Sequence, residues 1–189
     1  YPTGLNFIKD TIESKSDGDM TVQVYPDSEQ GSDQELMQKV QTGSIEMGHA
    51  SMSNMAPYVQ KLNVKNLPLL IPSVESGDEL LQSDTWTEMM TPEYRSAQFE
   101  PLTSYMFDFR HLGVTDVVEG GVQVPGDAEG VKIRVAGSEI VAQSFSESGA
   151  NPVNIAWSEA PSAMKEGVYD GIHISRLAHC AYGFGEIES

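Results

Sequence analysis

The chain has 189 residues and a formal net charge of −17, from 28 acidic and 11 basic residues. Such an acidic chain argues against binding to nucleic acid or to an anionic membrane surface, because both need a basic protein face. No run of about 18 apolar residues is present, so the sequence predicts no insertion into a membrane. The acids are spread along the chain, and two interpretations stay open. The protein comes either from a salt-adapted organism or from a mesophilic organism in which this protein happens to be acidic.

Cysteine and histidine usage argues against a disulfide or metal framework. The single cysteine, Cys180, cannot form a disulfide within the chain, and we expect it to be a buried structural thiol. Four histidines lack the spacing of a metal motif: His49, His111, His173 and His179. We therefore predict no metal and no cofactor. The chain opens on a helical pattern and shows no signal peptide, as a processed N-terminus would.

The first part of the chain predicts helices and strands in alternation. A helix at 32–42 is marked by Ser32 or Asp33 as its N-cap, and Gly43 follows where a left-handed C-cap is needed. Further helices are predicted at 5–15 and from about Ser76, and strands at 20–26, 45–50 and 102–113.

The second part of the chain also predicts alternating strands and helices, and it follows a Gly-, Val- and Pro-rich connection. We place a lobe boundary at this connection, which gives lobe I at 1–113, the connection at 114–126 and lobe II at 127–189. Lobe II is predicted to contain a strand at 130–137, a helix at 138–149, an extended segment at 151–157, a helix at 158–167 and a strand at 168–175.

One pattern occurs on both sides of the proposed boundary. A helix is followed by Gly43 and by a segment containing Gly48, and a second helix is followed by Gly167 and by a segment containing Gly171. Two similar α/β lobes would produce this repetition, and a ligand would then bind in the crevice at the strand ends.

Arg134 is the arginine whose sequence context best suits binding to a carboxylate. It lies in a short strand next to glycines, where alternation places Lys132 and Arg134 on one face and Ile133 and Val135 on the other. The planar guanidinium can hold a carboxylate with two hydrogen bonds, which lysine cannot do. From spacing alone, a surface arginine paired to one of the many acids remains an open alternative.

An ordered series of motifs covers nearly the whole chain. It comprises VQVYPDSEQGSDQELMQKVQTGSIEMGHAS (22–51), NLPLLIPS (66–73), DAEGVKIRV (127–135), GANP (149–152), SE (158–159) and GVYDG (167–171). The series resembles the substrate-binding subunits of tripartite ATP-independent periplasmic (TRAP) transporters, the DctP-like family.

The resemblance implies a fold and a function. The fold would be a two-lobed α/β architecture of the periplasmic-binding-protein type II kind, with mixed sheets flanked by helices and the ligand in the cleft between the lobes. The protein would be periplasmic, and it would capture a small organic carboxylate, such as a dicarboxylate, and deliver it to the TRAP membrane subunits without catalysis. Arg134 would grip the carboxylate, Arg110 would assist, Trp157 would line the pocket and Ser51 would meet the ligand from the first lobe.

The chain also departs from the family pattern. Ile174 stands where the family has a ligand-contacting asparagine, and His173 or Ser175 are the candidates to replace it. Trp157, together with Ile172 and Ile174, favours a partly apolar ligand. Because family members are longer, we expect this chain to be truncated at both ends, with the C-terminal return segments of lobe II missing.

Two alternative functions remain open at this stage. A sensory protein would use the same pocket but report to a receptor instead of a carrier. An enzyme on a similar scaffold would need an acid–base site, for which the candidates are His49, Ser51, Asp108, His111 and His173. No known hydrolase or phosphate-loop motif supports the enzyme.

Overall fold

The computed structural model describes residues 2–184, so the end of the predicted second lobe, 185–189, lies outside the described residues. Eight α-helices lie in this range: α1 Pro2–Lys15, α2 Asp33–Gln41, α3 Met52–Met55, α4 Val74–Gln82, α5 Asp84–Ser96, α6 Glu139–Glu147, α7 Ala160–Lys165 and α8 Arg176–Ala181. Within it, no helix has both the length and the apolar character needed to cross a bilayer.

The second part of the chain contains a four-stranded mixed sheet. Its strands are β1 Arg110–Val114, β2 Lys132–Val135, β3 Asn151–Asn154 and β4 Gly171–Ser175, in the order β1-β4-β2-β3. Strand β2 runs parallel to β3 and β4, whereas β1 is antiparallel to β4. The predicted α/β class with a mixed sheet flanked by helices is thus confirmed. Strand β1 crosses the boundary predicted at 113/114, and the lobe limits themselves stay a prediction.

Three glycines of the repeated pattern stand where a side chain would be unfavourable. Gly43 and Gly167 end helices α2 and α7 in the left-handed region, with φ of 71° and 70°, where a Cβ would be unfavourable. Gly171 lets β4 approach β1, because a Cβ there would lie 2.9 Å from Val114 Cγ1 and 3.0 Å from the carbonyl of Gly113. The repetition holds at both helix ends, but only the second copy continues into a strand.

The strands predicted in the first part of the chain are wrong. Residues 20–26 and 45–50 form no strand, and of the segment 102–113 only the part from Arg110 pairs. Residues 21–26 still alternate between exposed and half-buried, as the sequence pattern requires. A strand also needs a neighbour for its backbone hydrogen bonds, and no strand in residues 2–184 lies beside these segments.

Separate apolar clusters stabilise the two parts of the chain. One cluster of buried residues lies within 37–99, and we call the described part of the chain before β1 the N-terminal half. Two further clusters use buried residues from 128–184 and cover the two faces of the sheet; we call this part, with β1, the C-terminal half.

The prediction that Cys180 is buried is wrong. The thiol is exposed. Helix α8 is short, and the residue that it buries is Ala178 rather than Cys180.

Candidate functional site

Arg134 lies in the sheet with its side chain almost fully enclosed. The residue is 3% exposed, although it is an arginine in the middle of a short strand. Its neighbours Ile133 and Val135 belong to the apolar cluster on one face of the sheet, so alternation directs Arg134 to the other face. The site therefore begins with a guanidinium held at a fixed place in the fold.

A backbone carbonyl orients the guanidinium. Nε and Nη2 of Arg134 both donate to the carbonyl oxygen of Ile155, at 2.9 and 2.8 Å. An arginine has five N–H donors. The two hydrogens of Nη1 and the second hydrogen of Nη2 therefore remain, and they have no hydrogen-bond acceptor within residues 2–184. The carbonyl thus fixes one edge of the group and leaves the end of the fork available for a ligand.

No ion pair within residues 2–184 neutralises the charge of Arg134. Burial lowers its pKa to about 10, and the positive charge of Arg110 contributes to the shift, although the more distant Asp33 partly opposes the lowering. The group still carries its proton at neutral pH. Nowhere in the described range does a carboxylate come within 4.0 Å of Arg134. A buried charge without a counter-ion is costly, and this arrangement favours an anionic ligand.

Trp157 lies beside Arg134. The guanidinium carbon is 5.7 Å from the centre of the indole ring, a distance typical of a cation–π contact. The indole is half-buried and packs edge-on against Tyr182, with ring centres 4.9 Å apart. These contacts hold the ring next to the group that would bind the anion.

Arg110 begins strand β1 and is opposite Ser175 in β4. Its Nη1 donates to the carbonyl of His173 at 2.8 Å. Arg110 also lines a cavity of about 320 Å³, together with Asp108, Phe109, His111 and Arg176. Arg134 does not line this cavity. The charge of Arg110 is nevertheless close enough to contribute to the lowered pKa of Arg134.

Lys65 also belongs to this positive region, although it was not among the residues predicted from the sequence. Lys65 belongs to the 3-10 segment Gln60–Asn66, and its pKa is lowered by burial and, to a smaller extent, by Arg110. No motif surrounds this lysine, and only the folded chain brings it near Arg110.

Ser51 and Ser175 both act as helix N-caps. Ser51 Oγ accepts from the backbone N–H of Asn54 at 3.2 Å, and Ser175 Oγ accepts from that of Ala178 at 3.3 Å. Each hydroxyl therefore has a structural role, and each keeps its own O–H as a donor. Their contact with a ligand remains a prediction.

His173 and Ile174 point to opposite faces of the sheet. Ile174 is 2% exposed and packs in an apolar cluster with Ala178 and Phe184. His173 packs edge-on against Phe145, 5.3 Å away, and its enclosed Nδ1 has no partner within residues 2–184. Burial, with the charges of Arg110 and Arg134, lowers the pKa of His173 to about 3, so the ring is neutral.

The remaining histidines contact different partners. His111 Nε2 lies 2.7 Å from His179 Nδ1, with the rings stacked at 4.9 Å. His49 Nε2 lies 2.9 Å from the hydroxyl of Tyr105. These contacts are between pairs of rings rather than between a histidine and a serine nucleophile.

The comparison with protein families gives one result over almost the whole chain. Residues 2–187 match the model of the bacterial extracellular solute-binding protein family 7, DctP. The C4-dicarboxylate-binding periplasmic protein DctP of Vibrio cholerae is 24% identical over 174 residues, which are 90% of this chain and 51% of that protein. A solute-binding protein of Chromohalobacter salexigens is 26% identical and covers 99% of this chain and 55% of its own length. The chain spans about half the length of these relatives.

Solved structures share the fold. A TRAP periplasmic solute-binding protein of Anaerococcus prevotii with bound glucuronate is 25% identical, with a TM-score of 0.91 over 99% of this chain and 60% of that one. One from Sulfurospirillum deleyianum with bound succinate is 24% identical, with a TM-score of 0.88 over 98% of this chain and 59% of that one. The chain therefore belongs to the bacterial extracellular solute-binding protein family 7, the DctP family.

Proposed function

We propose that the protein captures a small organic acid outside the cytoplasm and delivers it to a TRAP-type membrane carrier. The observation that carries this proposal is the buried guanidinium of Arg134, which is oriented by the Ile155 carbonyl and has no carboxylate within 4.0 Å in the described part of the chain. An anion that enters from solvent would complete its hydrogen bonds and its charge.

Relatives support the same ligand class. The solved neighbours contain succinate and glucuronate, and the Vibrio cholerae relative is named for binding C4-dicarboxylates. Each of these ligands carries a carboxylate. Because the chain covers only about half of these relatives, the activity, the carrier partner and the periplasmic location of the whole protein are parts of the proposal.

In this proposal every candidate residue has a binding role and none a catalytic one. Arg134 holds the carboxylate with the end of its fork, and Trp157 covers the guanidinium and offers an apolar wall. Arg110, and Lys65 near it, add positive charge around the cleft. Ser51, Ser175 and His173 are left as candidate polar contacts from the edges of the site.

The test is a binding screen on the full-length protein. Succinate, L-malate, D-glucuronate and orotate would be examined first by thermal shift and then by titration calorimetry. At least one acid should raise the unfolding temperature in proportion to the logarithm of its concentration, and the amide of the same acid should not. Binding of a neutral or cationic compound in preference to all acids would refute the proposal, as would conversion of a bound acid into a product.

A further inference from the structure

The two halves of the chain meet through hydrogen bonds made by asparagines. Asn54, in α3, accepts the backbone N–H of Gly137 on its Oδ1 at 3.0 Å. Its Nδ2 donates to the carboxylate of Asp33 at the start of α2. One amide side chain therefore connects two segments of the N-terminal half with the loop that follows β2. Gly137 is only three residues after Arg134.

A second bridge lies beside the first. Ser138 Oγ donates to Asn63 Oδ1 at 2.9 Å and accepts from Asn66 Nδ2 at 3.2 Å. Asn66 Oδ1 in turn accepts from Ser53 Oγ at 2.8 Å. Ser53 and Ser138 are 4% and 2% exposed, so this network is enclosed. We call the two bridges together the asparagine seam: Asp33, Ser53, Asn54, Asn63, Asn66, Gly137 and Ser138.

The asparagine seam consists of polar groups, which suits an interface whose two sides separate and come together again. The clusters of buried apolar residues stay within one half or the other, so separating the halves at the seam leaves those clusters intact. A protein hydrogen bond contributes only about 0.5–1.5 kcal/mol net, because water replaces it when it breaks. The seam is therefore a place where the halves can separate reversibly.

We propose that Asn54 is a positioning residue that couples the closing of the two halves to the binding of an organic acid at Arg134. Its bond to Gly137 holds the end of β2 against α3, and so holds the guanidinium side of the site against the N-terminal half. This proposal rests on the proposed function of Arg134. A ligand that contacts both halves favours the closed arrangement, and loss of the bond shortens its residence.

The experiment combines a distance measurement with a release rate, both in the full-length protein. Spin labels on E88C in α5 and E166C after α7 report the separation of the halves; both positions are exposed, and C180S removes the exposed native thiol. Release of the screened acids is followed by stopped-flow fluorescence. We expect N54A to move the distances to longer values and to speed release roughly tenfold, because it removes two hydrogen bonds.

A rescue and a control make the result specific. In D33N/N54D the amide and the carboxylate exchange places, so both hydrogen bonds of residue 54 can form again, and we expect distances and release rate to return toward wild type. N151A removes an amide that bonds to the carbonyl of Gly130 within the C-terminal half, and it should leave both quantities unchanged.

Each outcome decides a stated point. Wild-type distances and release in N54A would overturn the coupling, and so would equal effects of N54A and N151A or a failure of the double variant to recover. If the wild-type protein binds none of the acids, the proposed function fails. The distance distributions then still decide whether Asn54 holds the halves together, because an unchanged distribution in N54A overturns that role as well.

Discussion

Substitution of Arg134 separates the contribution of charge from that of hydrogen-bond geometry. R134K keeps a positive charge but loses the fork, whereas R134M keeps much of the side-chain length and loses both. If the end of the fork holds the ligand carboxylate, affinity should fall in the order wild type, R134K, R134M. A simple electrostatic attraction would instead leave R134K close to wild type.

The expected magnitudes follow from the contacts of the guanidinium. Its side edge is occupied by the Ile155 carbonyl, so two N–H groups at the end of the fork are available for the carboxylate. A hydrogen bond to a charged group contributes about 1.5–3 kcal/mol. R134K should lose one such bond and raise Kd about 10- to 150-fold, and R134M should lose both and raise Kd by more than about 100-fold. The burial that lowers the pKa of Arg134 would also lower that of a lysine, so binding by R134K should weaken further as the pH rises.

Titration calorimetry with the acid found in the screen measures these differences. The matched control is R95A, because Arg95 is also held by two hydrogen bonds, but it is exposed and pairs with Glu100 after the end of α5. R95A should leave Kd unchanged. Unfolding curves of each variant show whether it is folded at the assay temperature. Equal Kd values for wild type and a folded R134M would refute the reasoning.

Three further predictions concern stability and reactivity. G171A should destabilise the protein by about 1–3 kcal/mol in chemical denaturation, because the added Cβ meets Val114 and the β1 backbone, whereas G126A, which meets nothing within 4 Å, should have little effect; equal effects would contradict the close approach of β1 and β4. The pKa of His173 is about 3 in the folded protein and near 6.5 in the unfolded chain. The unfolded state therefore binds the extra proton between these values, and stability should fall by about 2 kcal/mol from pH 6.0 to 4.5 through this residue alone. H173Q should flatten that part of the stability curve, and an unchanged slope would show that the ring is not buried and neutral. Cys180 should react with a thiol reagent in the native protein, and protection until unfolding would contradict its exposure.

The longer helices could be predicted because their signals are local, whereas the short helices α3 and α8 were not predicted. Ser32 accepts from the N–H of Glu35, and Glu35 returns a contact to the N–H of Ser32, so the start of α2 depends on four consecutive residues. Gly43 ends the same helix through its own backbone conformation. Such features need no knowledge of the rest of the fold.

The strands of the N-terminal half could not be predicted in the same way. Alternation describes which side chains face outward, and residues 21–26 do alternate in exposure. It does not say whether a neighbouring strand exists to complete the hydrogen bonds. The prediction succeeded at β2 and β4 because each finds a partner within the chain.

In the candidate site, too, the local features could be predicted and the long-range contacts could not. The position of Arg134 on one face of β2 follows from alternation and from the glycines around it. Its orientation depends on the carbonyl of Ile155, beyond the end of β3, and the approach of Lys65 and Asn54 depends on how the two halves meet. These contacts join residues far apart in sequence, and no motif in this chain marks them.

The most direct test of the account is a crystal structure of the full-length protein with its tightest-binding acid. We expect a carboxylate at the end of the Arg134 fork, with its two oxygens about 2.7–2.9 Å from Nη1 and Nη2, while the Ile155 carbonyl keeps its hydrogen bonds to Nε and Nη2. An acid bound away from Arg134, or a guanidinium paired with a carboxylate of the protein itself, would contradict it.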